Sequence, residues 1–199
     1  MRKLMMFNRV SADGYFAAPD GNLNWVVPDA ALDKEGASGT QSTDTILFGR
    51  RTYDMFEQFW PNVRDDAPAA PDPHTPGRFT PEMRVFAKMI NETTKVVFSR
   101  TRKNVTWTNS QLRRELAPAD IEAMKQKPGK DMIIFGSGTI VSQLTEHGLI
   151  DEYQFVVGPL LLGTGKQLIS DVSKHVKLEL LEAKPYPAGN VMLRYARSS

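Results

Sequence analysis

The chain has no cysteine among its 199 residues. A chain without cysteine cannot form a disulfide, a thiolate-ligated metal site or a nucleophilic thiol. This absence suits a reducing compartment, and we expect a cytoplasmic protein. Its three histidines, His74, His147 and His175, lie far apart and show no metal-ligand spacing, so we expect no metal site.

Long hydrophobic runs and a surplus of charge are also missing. No apolar stretch approaches the ~20 residues that a membrane-spanning helix needs, so we expect no membrane partner. Lysine and arginine together number 25 against 23 acidic residues, which gives a formal net charge of +2. This near balance differs from the dense basic field of nucleic-acid-binding proteins, and we expect no nucleic-acid partner.

The chain does contain short apolar runs that alternate with helical patterns. Buried strands are predicted at residues 4–10, 45–48, 95–98, 132–135 and 150–157, with an edge strand at 105–107. Helices are predicted at residues 28–41, from 49 onward, at 80–90, at 112–127 with an interruption at Pro118, and from 138 onward. A proline-rich excursion spans 61–77, and an antiparallel pair, 176–183 with 191–195, ends the chain. The pattern predicts a mostly parallel, three-layer α/β sheet in one domain, 1–199.

Two glycine turns follow predicted strands directly. Gly136 and Gly138 flank Ser137 where a buried strand passes into a helix that begins near Ile140. Such a turn lets the backbone approach a ligand and leaves the first helical N–H groups free for a phosphate. An ordinary tight turn that needs small residues for packing is the alternative. The segment after Gly49 repeats the same strand, glycine and helix order.

Two pairs of arginines also follow strand ends. Arg50 and Arg51 fall in the first turn of a predicted helix, where the macrodipole disfavours exposed cations by about 0.3–1 kcal/mol each. A bound anion would reverse that sign, although two solvated side chains are the alternative. Arg100 and Arg102 follow another strand, and arginine forks match phosphate oxygens. Two hydroxyls can add donors to the same anion: those of Ser99 and Thr101.

The standard nucleotide motifs are incomplete. Gly136-Ser-Gly138 lacks the third glycine of the dinucleotide fingerprint, and Gly165-Lys166 lacks the flanking residues of a phosphate-binding loop. The chain nevertheless resembles the dihydrofolate reductase-like fold over nearly its whole length. The similar segments are residues 21–29, 46–53, 97–100, 105–107 and 134–138. Within that fold, residues 10–16 and 158–165 look closest to the reductase domain of bacterial riboflavin biosynthesis and its stand-alone relatives, which use NADPH and are frequently dimeric.

The resemblance implies roles for these segments. Two turns would hold the cofactor phosphates, with the residues Gly49, Arg50, Arg51, Thr52, Gly136, Ser137, Gly138, Thr139 and Ile140. Ser99 and Arg100 would meet the adenosine 2′-phosphate, with the Thr101 hydroxyl beside them. Ala12 would present its backbone to the nicotinamide carboxamide. The peptide between Gly136 and Ser137 is expected to be strained or cis.

A substrate would then lie between the early loop and the loop at 160–165, in contact with Trp25, Leu162 and Gly163. The candidates for a proton donor are Asp13, Asp29 and Tyr15. Folate reductases carry a carboxylate two residues after the proline that corresponds to Pro28, where this chain has Ala30, so we expect folate to be a poor substrate. We expect a homodimeric, NADPH-dependent reductase of small heterocyclic or carbonyl compounds, or alternatively a non-catalytic nucleotide-binding or regulatory module on the same scaffold.

Overall fold

The computed structural model describes residues 1–39, 42–63 and 80–198. Most of the predicted proline-rich excursion and the predicted end of the first helix lie outside the described residues. The strands are β1 Leu4–Ser11, β2 Tyr15–Ala17, β3 Thr43–Gly49, β4 Thr94–Phe98, β5 Ser110–Arg113, β6 Asp131–Phe135, β7 Glu152–Gly158, β8 Lys166–Gln167, β9 Leu178–Pro185 and β10 Val191–Arg197. The helices are α1 Ala30–Gly39, α2 Arg50–Phe59, α3 Pro81–Glu92, α4 Pro118–Gln126 and α5 Gly138–Glu146.

Eight of these strands form one sheet in the order β5-β4-β3-β6-β1-β7-β10-β9. Neighbouring strands from β5 to β7 are parallel, whereas β10 pairs antiparallel with both β7 and β9. The prediction of a mostly parallel sheet with an antiparallel C-terminal hairpin is therefore confirmed. β1 pairs with β6 only as far as Phe7, opposite Phe135, but it continues beside β7 to Ser11. The carboxyl end of β1 thus extends past the end of β6.

Helices cover both faces of the sheet, because successive side chains of each buried strand point to opposite sides. On one face, Tyr53 of α2 and Ile90 of α3 pack with Phe48, and Leu32 of α1 packs beside β7 and β10. On the other face, α4 and α5 pack against the alternate residues of β1 and β6. The predicted three layers are confirmed.

Of two elements predicted between residues 105 and 127, the edge strand is misplaced and the helix starts later than expected. The edge strand is β5, in which Ser110 pairs with Lys95, and the segment around Trp107 is irregular. The Trp107 ring is buried against Tyr53 at 5.9 Å, and its Nε1 donates to Asn91 Oδ1 at 2.6 Å. These side-chain contacts hold the segment in place of ladder hydrogen bonds. The helix begins only at Pro118, since proline is tolerated in the first turn of a helix but not in its interior.

The edge strand β9 carries apolar side chains that the described part of the chain leaves exposed. Leu178, Leu180 and Leu181 are 37%, 55% and 49% exposed. The register with β10 shifts between Arg194 and Tyr195, which makes Leu181 an extra, bulged residue. No helix within the described ranges is long and apolar enough to cross a membrane.

Candidate cofactor and substrate cleft

A cleft of about 1550 Å³ follows the carboxyl ends of the parallel strands. Small-molecule pockets in proteins commonly measure about 300–1,000 Å³, so this cleft has room for a dinucleotide and a second small molecule. Its lining includes eleven residues that the sequence nominated for a cofactor: Gly49, Arg50, Arg51, Thr52, Ser99, Arg100, Gly136, Ser137, Gly138, Thr139 and Ile140. Open parallel sheets bind their ligands at this edge.

The two glycine turns are locked together by one serine. Ser137 Oγ accepts a hydrogen bond from the Gly49 N–H at 2.7 Å and donates to Thr52 Oγ1 at 3.0 Å. The turns meet because β3 and β6 are neighbours in the sheet. A Cβ at Gly49 would lie 2.8 Å from Ser137 Oγ, and one at Gly136 would lie 2.9 Å from Thr52 Oγ1. Packing of the two turns therefore requires glycine at both positions.

The backbone of the second turn is left-handed at two successive residues. Gly136 has φ +59 and Ser137 has φ +62. No peptide bond of the described residues is cis, so the cis form expected between these residues is wrong. The strain lies at Ser137, because a side chain disfavours the left-handed region. Since the Ser137 hydroxyl is engaged with the other turn, α5 begins at the cleft without a side-chain cap.

The predicted arginine cluster divides into two kinds of side chain. Arg51 and Arg100 are exposed and make no ion pair with the carboxylates of the described residues, while exposed Arg50 contacts Asp54 at 3.3 Å. Arg102 belongs to the protein's own packing and not to the cleft, which corrects its grouping with the other three. We call the following residues the arginine end of the cleft: Arg50, Arg51, Arg100 and Arg114.

Arg102 is held by an acidic pair on α2. It forms ion pairs with Asp54 and Glu57 and stacks over the Tyr53 ring at 4.7 Å. Burial alone would raise the pKa of Glu57, but hydrogen bonds from Thr106, Arg102 and Tyr53 outweigh it and lower that pKa. Because both terminal nitrogens of Arg102 are bound to carboxylates, its guanidinium has no pair of N–H donors left for a phosphate.

Arg114 was missed by the sequence analysis because it follows β5, which was not recognised as a strand. It extends along the loop after β4, where it donates to the carbonyl oxygens of Ser99, Arg102 and Lys103. The Ser99 hydroxyl accepts from the Arg102 N–H at 3.0 Å, and Thr101 is exposed beside the cleft rather than in its lining. This loop therefore presents mainly Arg100 and Arg114 to a ligand.

Asp13 and Tyr15, two of the three nominated proton donors, lie outside this cleft. Asp13 accepts from Ser11 Oγ at 2.6 Å and from the backbone N–H groups of Leu162 and Gly163 at 3.1 and 2.7 Å. These hydrogen bonds, the one from Ser11 above all, lower its pKa. Tyr15 lines a separate pocket of about 340 Å³ with Asp13. The structure thus brings Asp13 together with Leu162 and Gly163. In this position the Asp13 carboxylate anchors the loop at 160–165 and does not act as a proton donor in the cleft.

Asp29 caps the start of α1. Its Oδ1 accepts from the N–H groups of Ala31 and Leu32 at 3.1 and 3.3 Å, and its Oδ2 accepts from Ala188 at 2.8 Å. Burial would raise its pKa, but these backbone donors outweigh burial and lower it. The carboxylate therefore joins α1 to the β9–β10 hairpin as an anion, and an anion with three donors is a poor acid.

The remaining nominated residues also lie beside the cleft rather than in its lining. The Ala12 N–H donates to Leu160 at 2.8 Å, so it is not free for a carboxamide. Trp25 packs near Gly158.

The opposite end of the cleft was not identified from sequence. Here the sheet and α1 form an apolar wall that also carries charged groups. We call the following residues the α1 end of the cleft: Phe7, Arg9, Leu32, Asp33, Tyr186 and Met192. Arg9 Nη2 donates to Asp33 Oδ1 at 2.8 Å. The single charged residue of β1 was the available signal for this site. The described part of the chain contains no group of three side chains suited to a metal ion.

The strand order, the three layers and the cleft at the switch from parallel to antiparallel strands define an α/β protein of the dihydrofolate reductase-like class. Residues 2–192 match the family model of the RibD C-terminal domain. The chain therefore belongs to the RibD C-terminal domain family.

The chain is also similar to individual proteins and solved structures. YyaP of Bacillus subtilis strain 168, an uncharacterized protein, is 26% identical over 198 residues, which are 98% of this chain and 94% of YyaP. A putative riboflavin biosynthesis protein from Shewanella sp. PV-4 has a similar structure, with a TM-score of 0.73, 21% identity and 99% coverage of both chains. Dihydrofolate reductase from Enterococcus faecalis, complexed with NADP(H), gives a TM-score of 0.59 at 13% identity, covering 99% of this chain and 97% of that one. At these identities the structural likenesses establish the fold.

Proposed function

We propose that the chain is an NADPH-dependent reductase that transfers a hydride to a small heterocyclic or carbonyl substrate. The observation that carries the proposal is the single cleft that joins the arginine end to the α1 end across the two interlocked turns. A dinucleotide phosphate is the one ligand class that would use the exposed arginines, the uncapped α5 and the adjoining apolar end together. The NADP(H) in the dihydrofolate reductase from Enterococcus faecalis is consistent with this choice.

In this proposal the two turns bind the pyrophosphate and position the cofactor. The residues involved are Gly49, Arg50, Arg51, Thr52, Gly136, Ser137, Gly138, Thr139 and Ile140. Arg100, with Arg114, binds the adenosine 2′-phosphate, while Ser99 and Thr101 shape the loop that carries them. When bound, the cofactor supplies the hydride. The α1 end holds the substrate and excludes water with its apolar wall.

The substrate side differs from that of a folate reductase. Ala30 stands where a carboxylate would hold a pterin ring, and the nearby Asp33 is paired with Arg9. We therefore propose that dihydrofolate is a poor substrate. Any proton needed for the reduction comes from solvent or from a group at the α1 end.

A non-catalytic nucleotide-binding or regulatory module is the second candidate. It is favoured by the positions of Asp13, Tyr15 and Asp29, of which none lines the cleft. Titration of NADPH and NADH by fluorescence quenching, followed by NADPH oxidation with a panel of enones, quinones and pyrimidinones, separates the two. Tight NADPH binding with no turnover of the panel would favour the module. Absence of binding of both cofactors would exclude the reductase and leave the non-catalytic module ahead.

We also propose that residues 1–199 act as one domain and form a homodimer in the cytoplasm. The support is the edge strand β9, whose exposed leucines and unpaired backbone groups favour association with a second copy. Analytical ultracentrifugation of wild type and Leu180→Lys tests this assembly. We expect a dimer for wild type and a monomer for the variant, and a monomeric wild type would contradict the proposal.

A further inference from the structure

Arg9 lies at the part of β1 that extends beyond the end of β6. The odd-numbered side chains of β1 face the layer of α1, α2 and α3, as Met5 and Phe7 show, so Arg9 points to the same side. The side chain is 24% exposed and lines the cleft. It is therefore positioned beside α1, at the end of the cleft opposite the exposed arginines.

One arm of this guanidinium has no acceptor in the described part of the protein. Nη2 donates to Asp33, whereas Nη1 is buried and makes no hydrogen bond. Buried N–H groups without an acceptor are rare in folded proteins, because each gives up the water it would bind in the unfolded chain. Arginine cannot escape this cost by losing its proton.

Other carboxylates on this face of the sheet are already engaged. Glu152 and Glu182 both pair with Arg194, at 2.8 and 3.1 Å. Glu35 of α1 pairs with Lys184 of β9. These carboxylates are therefore neutralised by other cations. The Nη1 donor of Arg9 remains for a ligand that enters the cleft.

The wall beside this donor is apolar and partly aromatic. Phe7 packs against the cluster of Leu32, Val156, Tyr186 and Met192, and its ring meets Phe135 edge-on with centroids 6.0 Å apart. A flat ring can lie against such a wall, while an oxygen at its edge accepts from Nη1.

We propose that Arg9 is the specificity-determining residue of this site and that it donates to a carboxylate or ring-carbonyl oxygen of a flat, largely apolar molecule. Only the description of that molecule as a substrate rests on the proposed function. The contact itself depends on Arg9 and the wall alone.

Fluorine NMR titrations of three probes test this recognition: 4-fluorobenzoate, 4-fluorobenzamide and fluorobenzene. Wild type should bind at least one of the two oxygen-bearing probes about tenfold to a hundredfold more tightly than fluorobenzene, as one charge-assisted hydrogen bond would provide. Stronger binding of the benzoate indicates an anionic substrate, and equal binding of benzoate and benzamide indicates a carbonyl oxygen. In Arg9→Met all three affinities should become equal.

Two further variants control for indirect effects. Arg9→Lys retains the charge without the fork, so it should keep part of the preference for the benzoate. Arg197→Met changes an exposed arginine at the end of β10 and should retain the wild-type ratio. A crystal soaked with 4-bromobenzoate should place the carboxylate within hydrogen-bond distance of Nη1, about 2.7–3.2 Å.

An oxygen preference that survives in Arg9→Met, or no preference in wild type, would overturn the proposal. NADPH titrated against the same variants gives an independent reading. If NADPH binds none of them while the probe preference depends on Arg9, the proposed function fails and the recognition by Arg9 stands.

Discussion

The two ends of the cleft satisfy their arginines in different ways. At the arginine end, Arg51 and Arg100 are exposed and pair with no described carboxylate. At the α1 end, Arg9 contacts the Asp33 carboxylate, and two buried polar groups, Arg9 Nη1 and the Tyr186 hydroxyl, make no hydrogen bond within the described residues. The first arrangement suits a ligand that brings several negative charges, and the second suits a ligand with at most one. Electrostatics therefore dominate binding at one end, and shape with a few hydrogen bonds dominates at the other.

The sharpest way to separate the two ends is to force the interlocked turns apart. In Gly49→Ala the new Cβ would lie 2.8 Å from Ser137 Oγ, and overpacking of this kind costs about 1–3 kcal/mol. If that cost falls on the cofactor-bound arrangement of the turns, we expect NADPH binding to weaken by up to about a hundredfold, while 4-fluorobenzoate binding at the α1 end stays unchanged. Fluorescence and fluorine NMR titrations measure the two.

A matched glycine on α1 controls for this substitution. A Cβ at Gly36 meets nothing within 4 Å, so Gly36→Ala should raise the free energy of unfolding by about 0.5–1 kcal/mol through helix propensity. NADPH affinity should stay at the wild-type value. Equal loss of NADPH binding in both variants would mean that the turns do not hold the cofactor.

Removal of one free arginine tests the electrostatic end directly. Charge-assisted hydrogen bonds are worth about 1.5–3 kcal/mol, so Arg100→Ala should weaken NADPH binding by about tenfold to a hundredfold and leave NADH binding nearly unchanged. Both cofactors are titrated at one fixed salt concentration, because exposed charges are screened within about 10 Å at 0.1 M. Equal losses for both cofactors would move Arg100 to the pyrophosphate.

Arg102→Ala is the matched control for Arg100→Ala, since Arg102 is paired and Arg100 is not. Loss of Arg102 leaves Asp54 and Glu57 without their partner, so it should lower the free energy of unfolding by about 1–3 kcal/mol. The ratio of NADPH to NADH affinity should remain that of wild type. Chemical denaturation and the same titrations distinguish the two outcomes.

The attachment of the α1 end can be weakened without touching the arginines. Asp29→Ala removes the cap of α1 and its link to Ala188, and we expect a loss of about 1–2 kcal/mol in stability. Asp29→Asn retains an acceptor and should lose less. Amide hydrogen exchange should rise in α1 and the β9–β10 hairpin and not in α2, whereas a uniform rise would show that Asp29 supports the whole fold.

The smallest effect is the dependence of this attachment on pH. The pKa of Asp29 is lowered in the folded protein, so its contribution is complete above the ordinary aspartate value of 3.8 and is lost as pH falls through the lower folded value. Wild type should lose stability over that acidic range more steeply than Asp29→Asn, which has no such group. Thermal unfolding followed at several acidic pH values gives the two slopes.

Sequence patterns identified the arginine end better than the α1 end, because the turns of the arginine end are formed by residues that are adjacent in the sequence. Each of the two turns is a continuous segment of the chain. A few adjacent residues are therefore enough to predict it from sequence, namely the glycines with Ser137 in one turn and with Arg50 in the other. The α1 end is assembled from β1, α1, the β9–β10 turn and β10, and nothing in the sequence shows that Arg9 meets Asp33. Asp13 and Asp29 were nominated as proton donors, but turns also need carboxylates as caps for backbone N–H groups. Arg114 was missed for a different reason, since a buried Trp107 looked like a strand residue and displaced β5 by a few positions.

The hydrogen bonds of Ser137 also constrain how this protein can evolve. Its hydroxyl accepts a hydrogen bond from the Gly49 N–H and donates one to Thr52. The contact between the turns therefore depends on four residues at once: Gly49, Thr52, Gly136 and Ser137. A substitution at any one of these positions alters the space or the bonding that the other three require. Single changes should therefore be selected against, while compensated pairs survive, and libraries that randomise the four positions should return correlated solutions rather than independent ones.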